Sequence, residues 1–178
     1  MSLLKKLFGK PPEINASTAK IDEQVYLMDY RAHYADILGD HITPLRLAEL
    51  FLFRAWAAQF GYRFFSSDAG ASEKLIGETV NASKYLGLGM FEQVHGFSVE
   101  NELRMDFISL IEDRWRDYDV VVSTMPRADR LPTMEIIAVL TKHIDIADPE
   151  VTHKLSMDFI TQLDLIKRTA MEIGILGR

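Results

Sequence analysis

The histidines His33, His41, His95, His143 and His153 are the side chains of this 178-residue sequence best suited to hold a metal or to move a proton near neutral pH. His33 stands four residues after Asp29 and three before Asp36. On a helix those positions lie on neighbouring turns of one face, so two carboxylates and an imidazole could meet an ion or anchor the polar end of a ligand. Glu92 and His95 have the i, i+3 spacing of carboxylate-bridged di-iron bundles. That chemistry needs a second copy of the motif and two further glutamates on facing helices. Here the motif occurs once, with Gly87, Gly89 and Gly96 around it, and it reads as a loop histidine.

Glu102, Asp106, Asp113 and Asp117 form an acidic stripe at helical spacing. Such a stripe could hold Mg²⁺ with a diphosphate and support a hydrolase. A matching carboxylate pair on a facing helix is missing, and Glu100–Arg104 and Glu112–Arg116 have the spacing of ion pairs on a solvated helix face. Ser17 and Lys20 match a Ser-x-x-Lys acyl-enzyme spacing without its accompanying motifs. Gly87 and Gly89 make half of a dinucleotide loop with no strand before them. No Gly-x-Ser-x-Gly, no His-Glu-x-x-His and no phosphate loop occurs. No catalytic set, no metal site and no cofactor is expected from these motifs. Cysteine is absent, which excludes disulfides, thiolate metal ligands and cysteine nucleophiles.

Charge is distributed unevenly. Lys5, Lys6, Lys10 and Lys20 against Glu13 leave residues 1–20 at +3, whereas the other 158 residues hold 16 Lys or Arg and 25 Asp or Glu, a balance of -9. A body this acidic repels phosphate, so a nucleic-acid partner is not expected. The basic end is also amphipathic. Leu3, Leu4, Leu7 and Phe8 alternate with Lys5 and Lys6 at helical spacing, and Pro11 and Pro12 separate this stretch from the rest. A segment of this kind can dock in a groove on a protein or lie in a lipid headgroup layer. With so few lysines, membrane attraction would be weak and peripheral, at about 1 kcal/mol per basic residue. Residues 1–16 are therefore read as a segment and linker, and 17–178 as one domain.

The elements that position these groups are helical. Ser17 or Thr18 is placed to cap a helix running to Leu38, with Ile21, Val25, Met28 and Ala32 on one face and Gly39 at its end. Thr43 and Pro44 have the cap-plus-proline signature of a second helix, predicted to stop at Gly61. Around that helix Arg46, Glu49, Arg54 and Gln59 scatter over the circumference, so it is apolar nearly all round. A third helix from Asp68 or Ser72 carries Ile76, Val80 and Leu86. After the irregular stretch Gly87–Phe97, Ser98 can open a fourth, in which the 3–4 spacing persists through Val122 despite the β-branched run Tyr118–Thr124. A fifth begins near Pro132 and Thr133. Asp148 and Pro149 repeat the cap signature for a sixth, with Val151, Leu155, Phe159, Leu163, Ile166, Ala170 and Ile173 on one face.

The expected fold is an all-α single-domain bundle of about five to seven helices, with the apolar second helix at its centre. The stretch Leu45–Phe60 is shorter than the roughly 20 residues needed to cross a bilayer, and the start lacks a secretory apolar core, so the expected location is the cytoplasm. For function the expectation is a non-enzymatic interaction or adaptor protein with a protein partner. A helix apolar on every side, together with an aromatic loop at Tyr62-Arg63-Phe64-Phe65, suggests self-association as a homodimer through the second and last helices. The alternative is a module that holds a small apolar molecule or haem between helices, with His33 as its polar anchor.

Overall fold

Three of the helices begin where a side chain takes up the first free amides. The structure is a computed structural model and describes residues 25, 28–66, 70, 73, 77, 101–124, 131–172 and 174, with only the backbone of 101–108. Asp29 is in extended geometry, and its Oδ1 accepts the Ala32 amide at 3.0 Å, which starts α1 (Tyr30–Leu38). The expected continuous helix up to Leu38 is therefore interrupted at Met28 and Asp29. The same Asp29 carboxylate that could have been a ligand is used as a cap. Gly39, at φ 52°, turns the chain out of α1 into a 3-10 turn, Gly39–His41.

Thr43 Oγ1 accepts the Arg46 amide at 3.2 Å and Pro44 takes the first position of α2 (Pro44–Phe65). Helix α3 (Asn101–Thr124) includes the β-branched run at its end, so helical periodicity prevails over strand propensity there. Helix α4 (Thr133–His143) ends in a left-handed turn at Asp145, φ 51°, with the Ile146 amide donating to Thr141 O at 3.0 Å. The Arg46 guanidinium reaches from α2 to satisfy three carbonyls at these helix ends: Ile144 at 2.7 Å, Asp145 at 2.9 Å and His41 at 2.9 Å. Asp148 then caps α5 (Pro149–Glu172), its Oδ1 accepting the amides of Glu150 at 2.8 Å and Val151 at 3.3 Å.

The architecture is all-α, with five α-helices among the described residues. Helix α2 is its axis. It touches α1, α3, α4 and α5, most extensively α5, and every residue from Ala48 to Tyr62 is buried. Phe53 packs its ring against Trp56, Tyr118 and Phe159, which joins α2, α3 and α5 in one aromatic cluster. The cover that α2 requires is thus supplied within one chain, and its apolarity is no argument for a second copy. Nor does α2 stop at Gly61. A Cβ there would lie 2.8 Å from Ile166 Cγ2, so this glycine is where α2 and α5 press together, and the helix continues four residues beyond it. Tyr62-Arg63-Phe64-Phe65 is the last helical turn instead of a loop, with Tyr62 buried and Phe64 exposed.

Candidate functional site

The proposed triad of Asp29, His33 and Asp36 does not converge. Asp29 is occupied as the α1 cap, and Asp36 is exposed with its backbone carbonyl accepting from Lys154 Nζ at 3.2 Å. His33 turns to α5, where its Nε2 lies 2.7 Å from Asp158 Oδ1. Asp158 is the hub of a different cluster. Its Oδ2 accepts from Arg54 Nη1 at 2.8 Å and from the Tyr34 hydroxyl at 3.1 Å. Arg54 is 1% exposed and Asp158 10%, so α1, α2 and α5 are pinned by a charge pair almost out of reach of water.

Burial pushes the Asp158 carboxyl up, but the hydrogen bond from His33 and the positive charge of Arg54 outweigh it and hold the pKa below the ordinary value. Burial likewise disfavours the Arg54 cation, and the neighbouring Tyr34 and Asp158 more than reverse that, so its pKa is raised. Tyr34 is raised chiefly by burial. Both Asp158 oxygens are engaged by side chains of the protein, which suits a structural pin and leaves little for a substrate. Sequence reasoning missed Arg54, Tyr34 and Asp158. The available signal was Arg54 itself, because a charge on a helix that is apolar all round must be buried, and a buried charge must be paired.

The same logic applies to Glu49, five residues earlier on α2. Arg114 of α3 grips it with Nε at 3.0 Å from Oε2 and Nη2 at 3.0 Å from Oε1, a forked geometry that a lysine could not reproduce. Beside this pair lie Tyr118, raised by burial and by Glu49, and His143 of α4, lowered by burial and by Arg114. His143 Nε2 is 3.3 Å from Asp117 Oδ2, yet out of line for a hydrogen bond, so the buried nitrogen has ion-pair proximity without a donor–acceptor contact. The acidic stripe is broken up accordingly. Asp113 pairs with Arg116 at 2.9 Å, Asp117 faces His143, and the side chains of Glu102 and Asp106 lie outside the described residues. Among the described residues no three His, Asp or Glu side chains converge so as to hold a metal ion.

A cleft of about 370 Å³ runs between α2 and α3, walled by Trp56, Phe60, Phe64, Trp115 and Val122. Trp56, Phe60 and Phe64 recur every four residues along α2 and stack in sequence, with centroids 5.2 Å and then 5.5 Å apart. Trp56 and Phe60, 2% and 9% exposed, make the floor, and Phe64, 59% exposed, makes the rim. Both indoles are fixed by their N–H groups: Trp56 donates to Asp119 Oδ1 at 2.8 Å and Trp115 to the Leu52 carbonyl at 3.0 Å. These are the two tryptophans of the chain. Among the described residues, the cleft's charged lining consists of Asp119, which is engaged by Trp56, and Arg63, whose Nε lies 3.7 Å from Glu73. No histidine lines it among the described residues, and His33 is paired with Asp158 instead. Gln59 and Ser123 complete the described lining, in which the aromatic rings and Val122 form the apolar part.

The remaining sequence candidates, Leu3, Leu4, Lys5, Lys6, Leu7 and Phe8, lie outside the described residues, as do Ser17, Lys20, Glu92 and His95. Among the described residues no helix is long and apolar enough to cross a membrane. Comparison of the chain with known protein families, with curated proteins and with solved structures returns no match.

Proposed function

We propose that this protein is a non-enzymatic helical interaction module that uses the α2–α3 cleft to receive an apolar segment of a protein partner. The observation that carries the reading is the stacked ladder Trp56, Phe60 and Phe64, held on the buried central helix and ending in a phenylalanine more than half exposed. Rigid aromatic anchors in a concave surface are what recurs at energetic centres of interfaces. Among the described residues, Asp158, Glu49 and their partners are committed to one another inside the bundle, and Asp119 in the cleft accepts from Trp56.

A photoreactive phenylalanine analogue in place of Phe64 tests this in the cells that make the protein. The expected result is one dominant cross-linked partner, whose affinity for the purified protein falls at least tenfold on Phe64→Asp. Val120, 52% exposed on α3 but outside the cleft, is the control position. Equal labelling from positions 64 and 120 would sink the proposal.

A second reading uses the same cleft for a small apolar molecule, because its volume of about 370 Å³ lies within the range typical of ligand pockets. Native mass spectrometry of the untagged protein separates the two: a retained small mass that is lost on Phe64→Asp would favour this second reading.

A further inference from the structure

We propose that His143 is a proton-operated latch between α3 and α4: in mild acid its ring leaves the seam, the C-terminal half of α3 loosens, and the α2–α3 cleft opens. The link to the cleft rests on the reading of that cleft as a binding surface, whereas the latch rests on the geometry of the seam.

His143 is the last residue of α4, and its side chain is 5% exposed. Its Nε2 is buried without a hydrogen-bond partner, because the carboxylate oxygen beside it, Asp117 Oδ2 at 3.3 Å, lies out of line. Protonation makes both ring nitrogens donors and strands an N–H there. The charged and titratable groups that face the ring among the described residues are Arg114, Asp117 and Tyr118 of α3, Glu49 of α2 and Lys142 of α4. Burial, and then Arg114, opposes a positive ring. Glu49 and Asp117 favour it and do not prevail. Glu49 is already gripped by Arg114, and Asp117 is 54% exposed and screened by water. A ring released into water has the ordinary pKa of about 6.5, so the released state takes up a proton that the docked state refuses. Release is therefore favoured as pH falls below about 6.5, and the effect levels off below the docked ring's lower value.

Helix α3 is the element that yields. Among the described elements it packs only on α2 and α4, whereas α5 lies on α1, α2 and α4. Its last turns hold Val120, Val121 and Val122 in a row, a β-branched run of low helix propensity. Loss of the α4 seam leaves this end held by α2 alone. The same end shapes the cleft. The His143 ring stands edge-on to Tyr118 with centroids 5.6 Å apart, and Tyr118 in turn lies 4.8 Å from Trp56 in the cleft floor. Trp56 donates to Asp119, the next residue along α3, at 2.8 Å. Trp115, Asp119 and Val122 of the cleft wall all belong to the half of α3 that His143 holds in place.

The test is amide hydrogen exchange by mass spectrometry on the full-length protein from pH 7.5 to 5.0, with times scaled to the intrinsic exchange rate. Protection over residues 115–124 should fall at least about threefold between pH 7.5 and 5.5. It should also stay at least about tenfold below that of the buried stretch of α5, which marks local opening rather than unfolding of the whole domain. Acrylamide quenching of Trp56 and Trp115 should rise over the same range. His143→Asn should flatten both profiles, and Asp117→Asn, which removes a carboxylate that favours the charged ring, should move the midpoint to lower pH. If His143→Asn does not fold, the His143 ring titrated by nuclear magnetic resonance in wild type must share its midpoint with the exchange profile. A flat exchange profile, equal protection in α3 and α5, or a response that persists in His143→Asn would overturn the latch. The cross-link from position 64 at pH 7.5 reports on the cleft separately. Its presence beside a flat exchange profile sinks the latch alone, and its loss beside pH-dependent exchange sinks the cleft reading alone.

Discussion

Replacing Asp158 with alanine should cost about 3–5 kcal/mol of folding stability, the usual penalty for stranding one member of a buried ion pair. Arg54 is 1% exposed, and Asp158 is the carboxylate on its Nη1, at 2.8 Å. The same truncation takes acceptors from the Tyr34 hydroxyl and His33 Nε2, which adds to the loss at two further groups. For a chain of this length each kcal/mol moves Tm by about 2–4 °C, so the expected fall is roughly 6–20 °C. Urea unfolding followed by far-ultraviolet circular dichroism measures the change, and an unaltered m-value confirms that the two chains are being compared between the same states. The double variant Arg54→Met/Asp158→Leu should recover most of the loss, because apolar groups of similar size remove the stranded charge.

The pH dependence carries the same information. The folded pKa of Asp158 lies below its ordinary value, so its contribution is complete above an unfolded pKa of about 3.9 and disappears as pH falls through the lower folded value. The difference between wild type and the alanine variant should therefore hold steady from pH 5 to 8 and shrink only below about pH 4. A loss of less than about 1 kcal/mol at neutral pH would refute the reasoning, since it would mean that water reaches Arg54.

Three further outcomes are expected. Gly61→Ala gains about 1 kcal/mol of helix propensity but sets its Cβ 2.8 Å from Ile166 Cγ2, and overpacking of about 1–3 kcal/mol should prevail. Combining it with Ile166→Ala should cost less than the sum of the two single losses, as chemical denaturation will show. Arg114→Ala leaves the Glu49 carboxylate, 5% exposed, without its forked partner and should cost about 3 kcal/mol, read from the same curves. His143 has a folded pKa below 6.5, so the unfolded chain binds the extra proton and wild type should lose stability as pH drops from about 7 towards that lower value. His143→Asn should have a flatter profile over this window, and parallel profiles would show that the ring is solvated in the fold.

What the sequence determined by itself was whatever depends on neighbours along the chain. Thr43 with Pro44 and Asp148 with Pro149 mark helix starts because a side-chain oxygen takes a free amide and proline has none to lose, and both starts occur as expected. The face of α5 from Val151 to Ala170 is buried as its spacing requires. The central place of α2 follows from polar side chains too scattered to form a solvated side. Tertiary structure decided the rest. Gly61 has the composition of a stop, but Ile166 from α5 occupies the space where a side chain would be, so the glycine serves close approach and the helix runs on. Asp29 sits at ligand spacing from His33, yet local competition for the Ala32 amide takes its carboxylate. His33 is then free to meet Asp158, 125 positions away, a pairing that no periodicity along the chain encodes. The cleft is of the same kind: Phe60 and Trp115 are ordinary core-type residues in one dimension, and only the packing of α3 beside α2 leaves a gap between them.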